Sequence, residues 1–433
     1  MWFHHCVFYQ IYPLNFCGAP ETNSGVQEHR LDRITEYMDR YLSAYGIGGV
    51  YLNPVFSSDT HGYDTRDYRR IDERLGTNEE FRDLVDTAHG HGIRVVLDGV
   101  FHHVGRGFFA FQDLIRNGSG SRYKDWFRVD FSGNSPYDDG FWYEGWEGHY
   151  ELVKLNLHNP EVQNYLLDSI GFWMEEFQID GIRLDVAYLL PDWFMAMIRD
   201  YVSSRREDFF LLGETLSDNQ GHLFTEGKLD SITDYPLYKS IWSGFNSRNM
   251  FEIAHTLKRN LFEMYRGRAL WSFLDNHDVD RIASKLTDPD LLAVAFGLQL
   301  ALPGIPCIYY GSEWGIEGRK RPGQSDRDLR PEVSSPVYND LNGQVKEMIC
   351  LRSCTPALMT GTFREILLTN QQYVFQRETD GSTVLTAVNI ADEPWEFRFD
   401  LPDGNWRQAG SSAAQVFDGT LRLGPKSIVW WIF

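Results

Sequence analysis

The chain has 433 residues and a net charge of −20, from 41 basic and 61 acidic side chains. This charge repels phosphate backbones and anionic lipids, so we expect neither a nucleic acid nor a membrane surface as a partner. Aromatic residues make up 15% of the chain. Such a content suits a large packed core, and it equally suits sugar binding, because the C–H face of a pyranose packs on aromatic rings.

The cysteines argue against both a disulfide framework and a zinc knuckle. There are five, an odd number, and they form no CxxC pair. This usage fits a reducing compartment, so we expect a cytoplasmic location. The N-terminus has no basic segment followed by a long apolar run, so we predict no signal peptide and no transmembrane helix. We also expect no metal and no cofactor, and the oligomeric state stays open.

The first hundred residues alternate between strand and helix patterns. Strands are predicted at 7–13, 48–56 and 93–99, and helices between them at 31–46 and 78–92. Strand, helix and strand in this order, with about forty residues between strands, indicate right-handed βαβ units.

The next interval, 104–155, is rich in glycine, aromatic and charged residues and has no helical or alternating pattern. A loop of this length inside a compact domain is usually functional. We predict a small excursion domain that overhangs the face where the neighbouring strands end. A helix at 159–177 then returns the chain to the sheet, with Asn159 as its N-cap and Pro160 in its first turn.

The remaining sequence continues to alternate between strand and helix patterns up to Pro356, and after it only short strand patterns follow. Further strands are predicted at 181–187, 209–214, 229–235, 270–275 and 305–311, and a helix at 344–354. Eight parallel strands alternating with helices give an α/β fold, the (β/α)8 TIM barrel, expected over 1–103 and 156–355 with the excursion domain at 104–155. Short alternating runs broken by Asp-Gly and Gly-Pro turns predict an antiparallel β-sandwich at 356–433.

Four predicted barrel strands end in acid or imidazole side chains. Asp98, His102 and His103 follow the third strand, Asp185 lies in the fourth with Arg183 beside it, Glu214 ends the fifth, and the seventh ends in Asp275, His277 and Asp278. The C-terminal ends of barrel strands form the active face. On charge alone Arg183 and Asp185 read first as a structural ion pair and second as a prepared carboxylate. The neighbouring acids favour the second interpretation.

The positions of these acids suggest a chemistry. Parallel strands lie about 4.8 Å apart, and a retaining glycosidase needs about 5 to 5.5 Å between its two carboxyl groups. Arg183 beside Asp185 favours an ionised nucleophile, whereas Glu214 has no cation near it in sequence and suits a proton donor. Asp278, with His103 and His277 as donors to sugar hydroxyls, would stabilise a cationic transition state.

Seven segments carry a resemblance to a known family. They are HGYDTRDY (61–68), DGVFHH (98–103), VKLN (153–156), GIRLDVA (181–187), GET (213–215), FLDNHD (273–278) and GIPCIYYGSEWG (304–315). In this order and at these spacings the chain resembles the α-amylase family of retaining glycoside hydrolases over nearly its whole length. HGYDT and VKLN look most like the neopullulanase, cyclomaltodextrinase and maltogenic amylase group, which acts on cyclodextrins, short maltodextrins and sometimes pullulan.

The resemblance implies the same three catalytic roles, with Asp185 as nucleophile, Glu214 as general acid/base and Asp278 as transition-state stabiliser. It also implies substrate contacts by five other residues, namely Tyr63, which stacks on the sugar, and His103, Arg183, His277 and Arg281. That group of enzymes usually carries an extra N-terminal β-domain that mediates dimerisation. The first predicted strand here begins within the first ten residues, which leaves a dimer of that kind open.

A second departure from the family concerns calcium. The family commonly has Asn before the last histidine of the DGVFHH segment, often as a calcium ligand, and this chain has His102 there. Imidazole is a poor partner for a hard cation that prefers oxygen ligands, so no calcium is expected at that place.

Three functions remain open at the level of sequence. The first is a hydrolase of α-1,4 or also α-1,6 bonds in short glucans, with the α-glucan as its partner molecule. The second is a transglycosylase or isomerase on the same scaffold, in which a sugar hydroxyl replaces water. The third is a non-catalytic binding subunit, whose expected signature is the loss of a carboxylate. The presence of Asp185, Glu214 and Asp278 argues against this last function.

Overall fold

Eight parallel strands form a closed barrel in the computed structural model, which describes residues 1–217, 220–224, 227–323, 325–399, 406–411, 414–417 and 419–433. The strands are β1 (Phe8–Ile11), β2 (Gly49–Leu52), β3 (Arg94–Gly99), β4 (Gly181–Leu184), β5 (Phe210–Gly213), β6 (Ser231–Ile232), β7 (Trp271–Ser272) and β8 (Ile305–Tyr309). Strands adjacent in sequence pair with each other, β1 pairs with β8, and a bridge between Thr233 and Trp271 joins β6 to β7. The predicted TIM barrel is confirmed.

Aromatic side chains fill the interior of the barrel. The rings of Phe8, Phe210 and Trp271 pack on one another with centroids 4.6 to 6.1 Å apart. Above them lies a cavity of about 20 Å³, lined in part by Arg183 and Glu214. This volume holds about one water molecule. A substrate therefore reaches these residues only from the face that carries the loops after the strands.

The register of three neighbouring strands brings their C-terminal ends to one level. Arg183 on β4 is the Cα partner of Asp98 on β3 and of Leu212 on β5. The following residue, Leu184, pairs with Gly99 and Gly213. Acids that follow these strands are thus delivered to the same edge of the sheet.

Several strands are shorter than predicted because the chain turns as soon as the ladder ends. The stretch predicted as a strand at 181–187 ends at Leu184, and Val186 has left-handed backbone angles, with φ 43° and ψ 44°. The strand predicted at 229–235 is reduced to Ser231–Ile232, since the Asp234 side chain accepts the Leu237 N–H and starts a helix at Tyr235. The strand predicted at 270–275 is reduced to Trp271–Ser272.

Helices surround the barrel. The main ones are Leu31–Arg40, Asn78–Gly90, Pro160–Glu176, Asp192–Ser203, Tyr235–Asn246, Met250–Lys258, Leu292–Ala301 and Asp340–Cys354. The predicted cap of the third is confirmed, because Asn159 Oδ1 accepts the Glu161 N–H at 2.8 Å and Pro160 is the first helical residue. Between β5 and β6 the described residues contain a 3-10 turn, Gly221–Phe224, where an ideal barrel has an α-helix.

Two predicted helices have different bounds. The helix expected over 31–46 ends at Arg40 and is followed by a 3-10 turn, Leu42–Ala44, because Gly46 with φ 73° begins the return to β2. The helix expected over 344–354 begins earlier, at Asp340, because the Asn339 side chain accepts the Asn342 N–H at 2.8 Å and caps it.

The interval after β3 is more regular than predicted. It contains a helix, Phe109–Asn117, which buries Ala110, Phe111 and Leu114. Its strands are His103–Gly105, Val129–Asp130, Trp142–Tyr143, Gly145–Trp146 and His149–Lys154. The helix escaped prediction because it has only nine residues and no side-chain N-cap. Limits of 104–155 for this domain stay a prediction.

The C-terminal part is a sandwich of two antiparallel sheets, as predicted. One contains Thr362–Leu368, Gln372–Thr379, Ser382–Asn389, Arg407–Gly410 and Ser427–Ile432, and the other Trp395–Arg398, Gln415–Phe417 and Thr420–Leu423. Two adjacent residues of the last strand pack in different hydrophobic cores. Trp431 packs between the two sheets, whereas Trp430 belongs to the main core shared with the barrel. Among the described helices, none has the length and apolar character needed to cross a bilayer.

Candidate active site

Arg183 stands at the centre of the candidate site. Its Nη1 donates to Asp98 Oδ1 at 2.7 Å and to Asp185 Oδ1 at 2.8 Å, and its Nη2 lies 2.8 Å from Glu214 Oε1. All four side chains are buried. One guanidinium therefore holds three carboxylates that come from the ends of β3, β4 and β5.

The sequence-based reason for telling Asp185 and Glu214 apart does not hold. It paired Arg183 with Asp185 alone, whereas the guanidinium contacts Glu214 at the same distance of 2.8 Å. Burial raises the pKa of Asp185 well above its ordinary value and also raises the pKa of Glu214, against the opposing charge of Arg183. Buried carboxyl groups this close titrate as a coupled set, so the cluster retains a proton more readily than an exposed acid does.

The hydrogen bonds of Asp185 and Glu214 distinguish the two acids better than their pKa values do. The Val186 N–H, presented by the left-handed turn after β4, donates to Glu214 Oε2 at 2.9 Å. Both oxygens of Glu214 are thus in contact with a donor. Within the described parts of the chain, Asp185 accepts a hydrogen bond at Oδ1 only. Its Oδ2 is available to an incoming group.

A chain of hydrogen bonds connects Arg183 to Asp278. The Tyr63 O–H donates to Asp98 Oδ2 at 2.9 Å, and the same Tyr63 oxygen lies 2.6 Å from His277 Nε2. His277 Nε2 is in turn 3.1 Å from Asp278 Oδ2. The rings of Tyr63 and His277 are parallel within 7°, with centroids 5.7 Å apart. The structure therefore brings Tyr63, His277 and Asp278 to the edge of the same cluster.

His277 is neutral, and its environment fixes the tautomer. Burial lowers its pKa to about 3. The Gln10 amide nitrogen donates to Asn53 Oδ1 at 2.7 Å and lies 2.9 Å from His277 Nδ1. Because this amide N–H needs an acceptor, Nδ1 carries the lone pair and Nε2 carries the proton. Nε2–H faces the Tyr63 oxygen and Asp278 Oδ2, and a ligand hydroxyl that takes the place of one of these acceptors would receive its hydrogen bond.

His103 has a free ring nitrogen in a buried position. Its Nδ1 lies 3.3 Å from His102 Nδ1, and its Nε2 has no hydrogen-bond partner among the described residues although it is buried. Burial lowers the pKa of His103 well below its ordinary value, so the ring is neutral. An unsatisfied buried nitrogen is costly unless a ligand completes it.

A family model matches most of the chain. It describes the "Alpha amylase, catalytic domain" and covers residues 10–348. The chain belongs to the α-amylase family. It is accordingly an α-amylase-type glycoside hydrolase, and its site residues lie at the face of the barrel where the strands end.

The sequences of known relatives align with most of this chain. A cyclomaltodextrinase from Geobacillus thermopakistaniensis is 33% identical over 433 residues, 94% of this chain and 72% of the relative. An intracellular maltogenic amylase from Bacillus subtilis is 34% identical over 380 residues, 83% of this chain and 63% of the relative. The ligand-free cyclic α-maltosyl-(1→6)-maltose hydrolase from Arthrobacter globiformis has a TM-score of 0.85 at 26% identity, covering 100% of this chain and 99% of that one.

Arg281, which the family resemblance implied as a substrate contact, is not brought to the other site residues. Its guanidinium is fully buried and donates to the carbonyl oxygens of Tyr310 at 2.7 Å and Leu329 at 3.0 Å. It also lies 3.9 Å from the centroid of the Tyr309 ring. In this member of the α-amylase family, Arg281 anchors the segment after β8 and does not reach the cluster.

Arg330 reaches the site instead, and sequence analysis missed it. Its Nη2 lies 3.1 Å from Asp278 Oδ1, and its Nε donates to the His277 carbonyl at 3.0 Å. Burial favours a higher pKa for Asp278, but the N–H that neutral His277 presents to Asp278 Oδ2 and the charge of Arg330 outweigh it, and the pKa of Asp278 is lowered. No pattern in the long segment after β8 marks Arg330. Asp98, by contrast, follows an apolar strand like the other acids and could have been assigned by the same rule.

Arg330→Ala is expected to lower kcat/KM for maltotriose by about 10- to 100-fold, because Asp278 and the His277 carbonyl lose a nearly buried cation. Steady-state kinetics measure this, with the thermal midpoint as a check on folding. Arg327→Ala is the matched control, since the Arg327 side chain is 62% exposed and its ion pair with Glu21 spans 3.6 Å. Activity of Arg330→Ala within twofold of the Arg327→Ala variant would contradict the role of Arg330.

At the position of His102, where the α-amylase family commonly has a calcium ligand, the residue present does not fit a calcium ion. His102 offers an imidazole, and burial lowers its pKa to about 4, so it is neutral. Within the described ranges, no group of three or more His, Cys, Asp or Glu side chains is placed to hold a metal. No step of the reaction is therefore assigned to a metal.

Activity is expected to survive dialysis against EDTA within about twofold, because imidazole is a poor ligand for calcium. Elemental analysis of protein purified without chelator should find calcium well below one equivalent. One bound calcium per chain, together with activity that EDTA removes and calcium restores, would refute this prediction.

Proposed function

We propose that this enzyme hydrolyses α-1,4 bonds, and also α-1,6 bonds, in short maltodextrins and cyclodextrins with retention of anomeric configuration. The observation that carries the proposal is the placement of Asp185 and Glu214 on the two terminal nitrogens of Arg183. Carboxyl groups held on one guanidinium are close enough for direct attack on a sugar, whereas an inverting enzyme separates them by about 6.5 to 9.5 Å to admit a water. The names of the relatives support α-glucans as the substrate class.

In the first step Asp185 Oδ2 attacks the anomeric carbon while the Glu214 carboxyl gives its proton to the glycosidic oxygen. The bond from the anomeric carbon to that oxygen breaks, and the leaving glucan departs with a new hydroxyl. A glycosyl ester on Asp185 remains. The free Oδ2 of Asp185 supports this division of roles, because Glu214 has a donor on each of its two oxygens.

In the second step the Glu214 carboxylate takes a proton from water as the water oxygen attacks the same carbon. The ester bond to Asp185 breaks, the carboxylate is restored, and Glu214 is again protonated. Two inversions at one carbon leave the product in the configuration of the substrate.

The neighbouring residues stabilise the charge that develops on the sugar. Asp278 contributes a carboxylate whose pKa is held low, which suits an ionised partner for an oxocarbenium-like centre. The proton on His277 Nε2 and the unsatisfied Nε2 of His103 suit sugar hydroxyls. The ring of Tyr63, fixed by its hydrogen bonds, supplies an apolar platform for the sugar.

Product analysis tests the proposal. Maltotriose, β-cyclodextrin, pullulan and soluble starch are incubated separately with the enzyme, and the products are resolved by chromatography. Faster cleavage of β-cyclodextrin than of starch is the expected result. Larger oligomers formed from maltotriose would instead indicate transfer to a sugar hydroxyl, and no cleavage of any of the four would refute the proposal.

A cytoplasmic location is also proposed. All five cysteines are free thiols, and a relative is named as an intracellular enzyme. Fractionation of the producing cells tests this, and activity confined to the culture medium would contradict it.

A further inference from the structure

A groove of about 860 Å³ lies outside the carboxylate cluster, between the barrel segment 59–66 and the excursion domain. Its walls include Asp59, Thr60, His61, Arg106, Tyr137 and Glu151. The volume falls in the range of about 300 to 1,000 Å³ that is typical of small-molecule sites. None of these residues takes part in the reaction described above.

His61 connects this groove to the catalytic cluster. Its ring centroid is 6.1 Å from that of Tyr63, and its Nδ1 accepts the Tyr63 N–H at 3.2 Å. The groove therefore begins beside Tyr63, next to the residue proposed to stack on the sugar.

Tyr137 provides an aromatic platform in the groove. The Tyr137 side chain is 50% exposed, yet its position is fixed. The Arg106 guanidinium lies 3.9 Å from the ring centroid and is held by two bonds to Asp139, at 2.7 and 2.9 Å. The Tyr137 N–H also donates to Ser135 Oγ at 3.1 Å. An exposed aromatic face held in this way binds a sugar with little loss of side-chain entropy.

The two walls of the groove are locked together. The Gly107 N–H donates to Asp59 Oδ2 at 2.8 Å, and a side chain at Gly107 would come within 2.4 Å of Asp59 Oδ1. At Gly105 an added Cβ would meet the Asp64 carbonyl oxygen at 2.3 Å. The excursion domain can approach the barrel segment this closely only because both positions are glycine, so the groove is preformed.

The charges in the groove favour a neutral ligand. Arg66 is paired with Asp59, and Arg106 is paired with Asp139. Neither cation is left free to attract an anion such as phosphate. A polyol, which needs hydrogen-bonding groups and an apolar face, matches this balance.

We propose that the groove binds glucosyl units of the α-glucan beyond the one held on Tyr63, with Tyr137 as their stacking platform. The inference rests on the proposed function and extends it, because it makes the enzyme selective for chains longer than the cluster alone would accommodate. Tyr137 acts in binding and takes no part in the proton transfers.

The test separates binding from turnover. Maltotriose and maltohexaose are titrated calorimetrically into the Glu214→Gln protein, alone and combined with Tyr137→Ala, Tyr137→Phe or Phe251→Ala. Phe251 is the matched control, since it is a 47% exposed aromatic residue on the helix Met250–Lys258. Tyr137→Ala is expected to weaken maltohexaose binding by about three- to tenfold relative to maltotriose binding. Tyr137→Phe and Phe251→Ala should keep the ratio of the two Kd values.

An unchanged ratio of the two Kd values in Tyr137→Ala would overturn the inference. An equal loss of maltohexaose binding in Tyr137→Phe would overturn it too, because the aromatic ring would then not be what binds the sugar. Turnover of maltohexaose by the unmodified enzyme is measured in parallel. Absence of this turnover would contradict the proposed hydrolase function, while the titrations would still decide whether the groove binds the glucan.

Discussion

Asp185→Asn is expected to lower kcat on maltohexaose by about 10⁴-fold or more, because no covalent ester can form without the carboxylate. The substitution keeps the size of the side chain and an oxygen that Arg183 can contact, so the fold should persist. Binding of maltohexaose should also persist, because the contacts from Tyr63, His103 and His277 do not depend on a charge at residue 185. Single-turnover kinetics and calorimetry measure the two quantities separately.

Asp192→Asn serves as the control, since the Asp192 side chain is 51% exposed and its ion pairs are with Lys228 and His222. It should retain activity within about twofold, because Asp192 is half-exposed and is not part of the carboxylate cluster. Residual turnover of Asp185→Asn within tenfold of this control would remove Asp185 from the role of nucleophile.

Glu214→Gln is expected to lower kcat on maltohexaose by about 10³-fold or more, because the leaving sugar oxygen then receives no proton. An α-maltosyl fluoride has a leaving group that needs no proton, so its first step should be much less affected. Azide, which attacks without a general base, should accelerate the second step. Stopped-flow release of fluoride, with and without azide, measures both effects.

The pH profile of the unmodified enzyme gives an independent test of Glu214. A proton donor must be protonated, so activity falls as pH rises through its pKa. Burial raises the pKa of Glu214, so this fall should occur at a higher pH than for an exposed glutamate. In Glu214→Gln acting on the fluoride, the alkaline fall should disappear. Equal losses on the fluoride and on maltohexaose, with the fall retained, would argue against Glu214 as the acid.

The sequence predicts the barrel and the acids well for a specific physical reason. Each barrel strand is buried on both faces, so it reads as a continuous apolar run, and an acid that follows such a run lies at the active face. Asp185, Glu214 and Asp278 all obey this rule. The two-residue strands β6 and β7 carry too little pattern to fix their ends, and the strand predicted at 229–235 extends to Tyr235, the first residue of the next helix.

The contacts of the arginines could not be predicted in this way. Whether Arg183 serves one acid or three depends on the register of β3, β4 and β5, which local pattern does not encode. Arg281 and Arg330 lie in irregular segments, and only the folded chain shows that one is anchored to carbonyl oxygens while the other reaches Asp278. The groove under Tyr137 likewise depends on two glycines, Gly105 and Gly107, approaching a distant loop.

The anomeric form of the first product tests the central claim most directly. Maltohexaose is hydrolysed at high enzyme concentration, and proton NMR records the reducing-end anomers before mutarotation, with Asp185→Asn as the blank. Because Asp185 forms an ester that water then displaces, the newly formed ends should appear first as the α-anomer. Initial appearance of the β-anomer would mean that water attacks the substrate directly, and the proposed roles of Asp185 and Glu214 would be wrong.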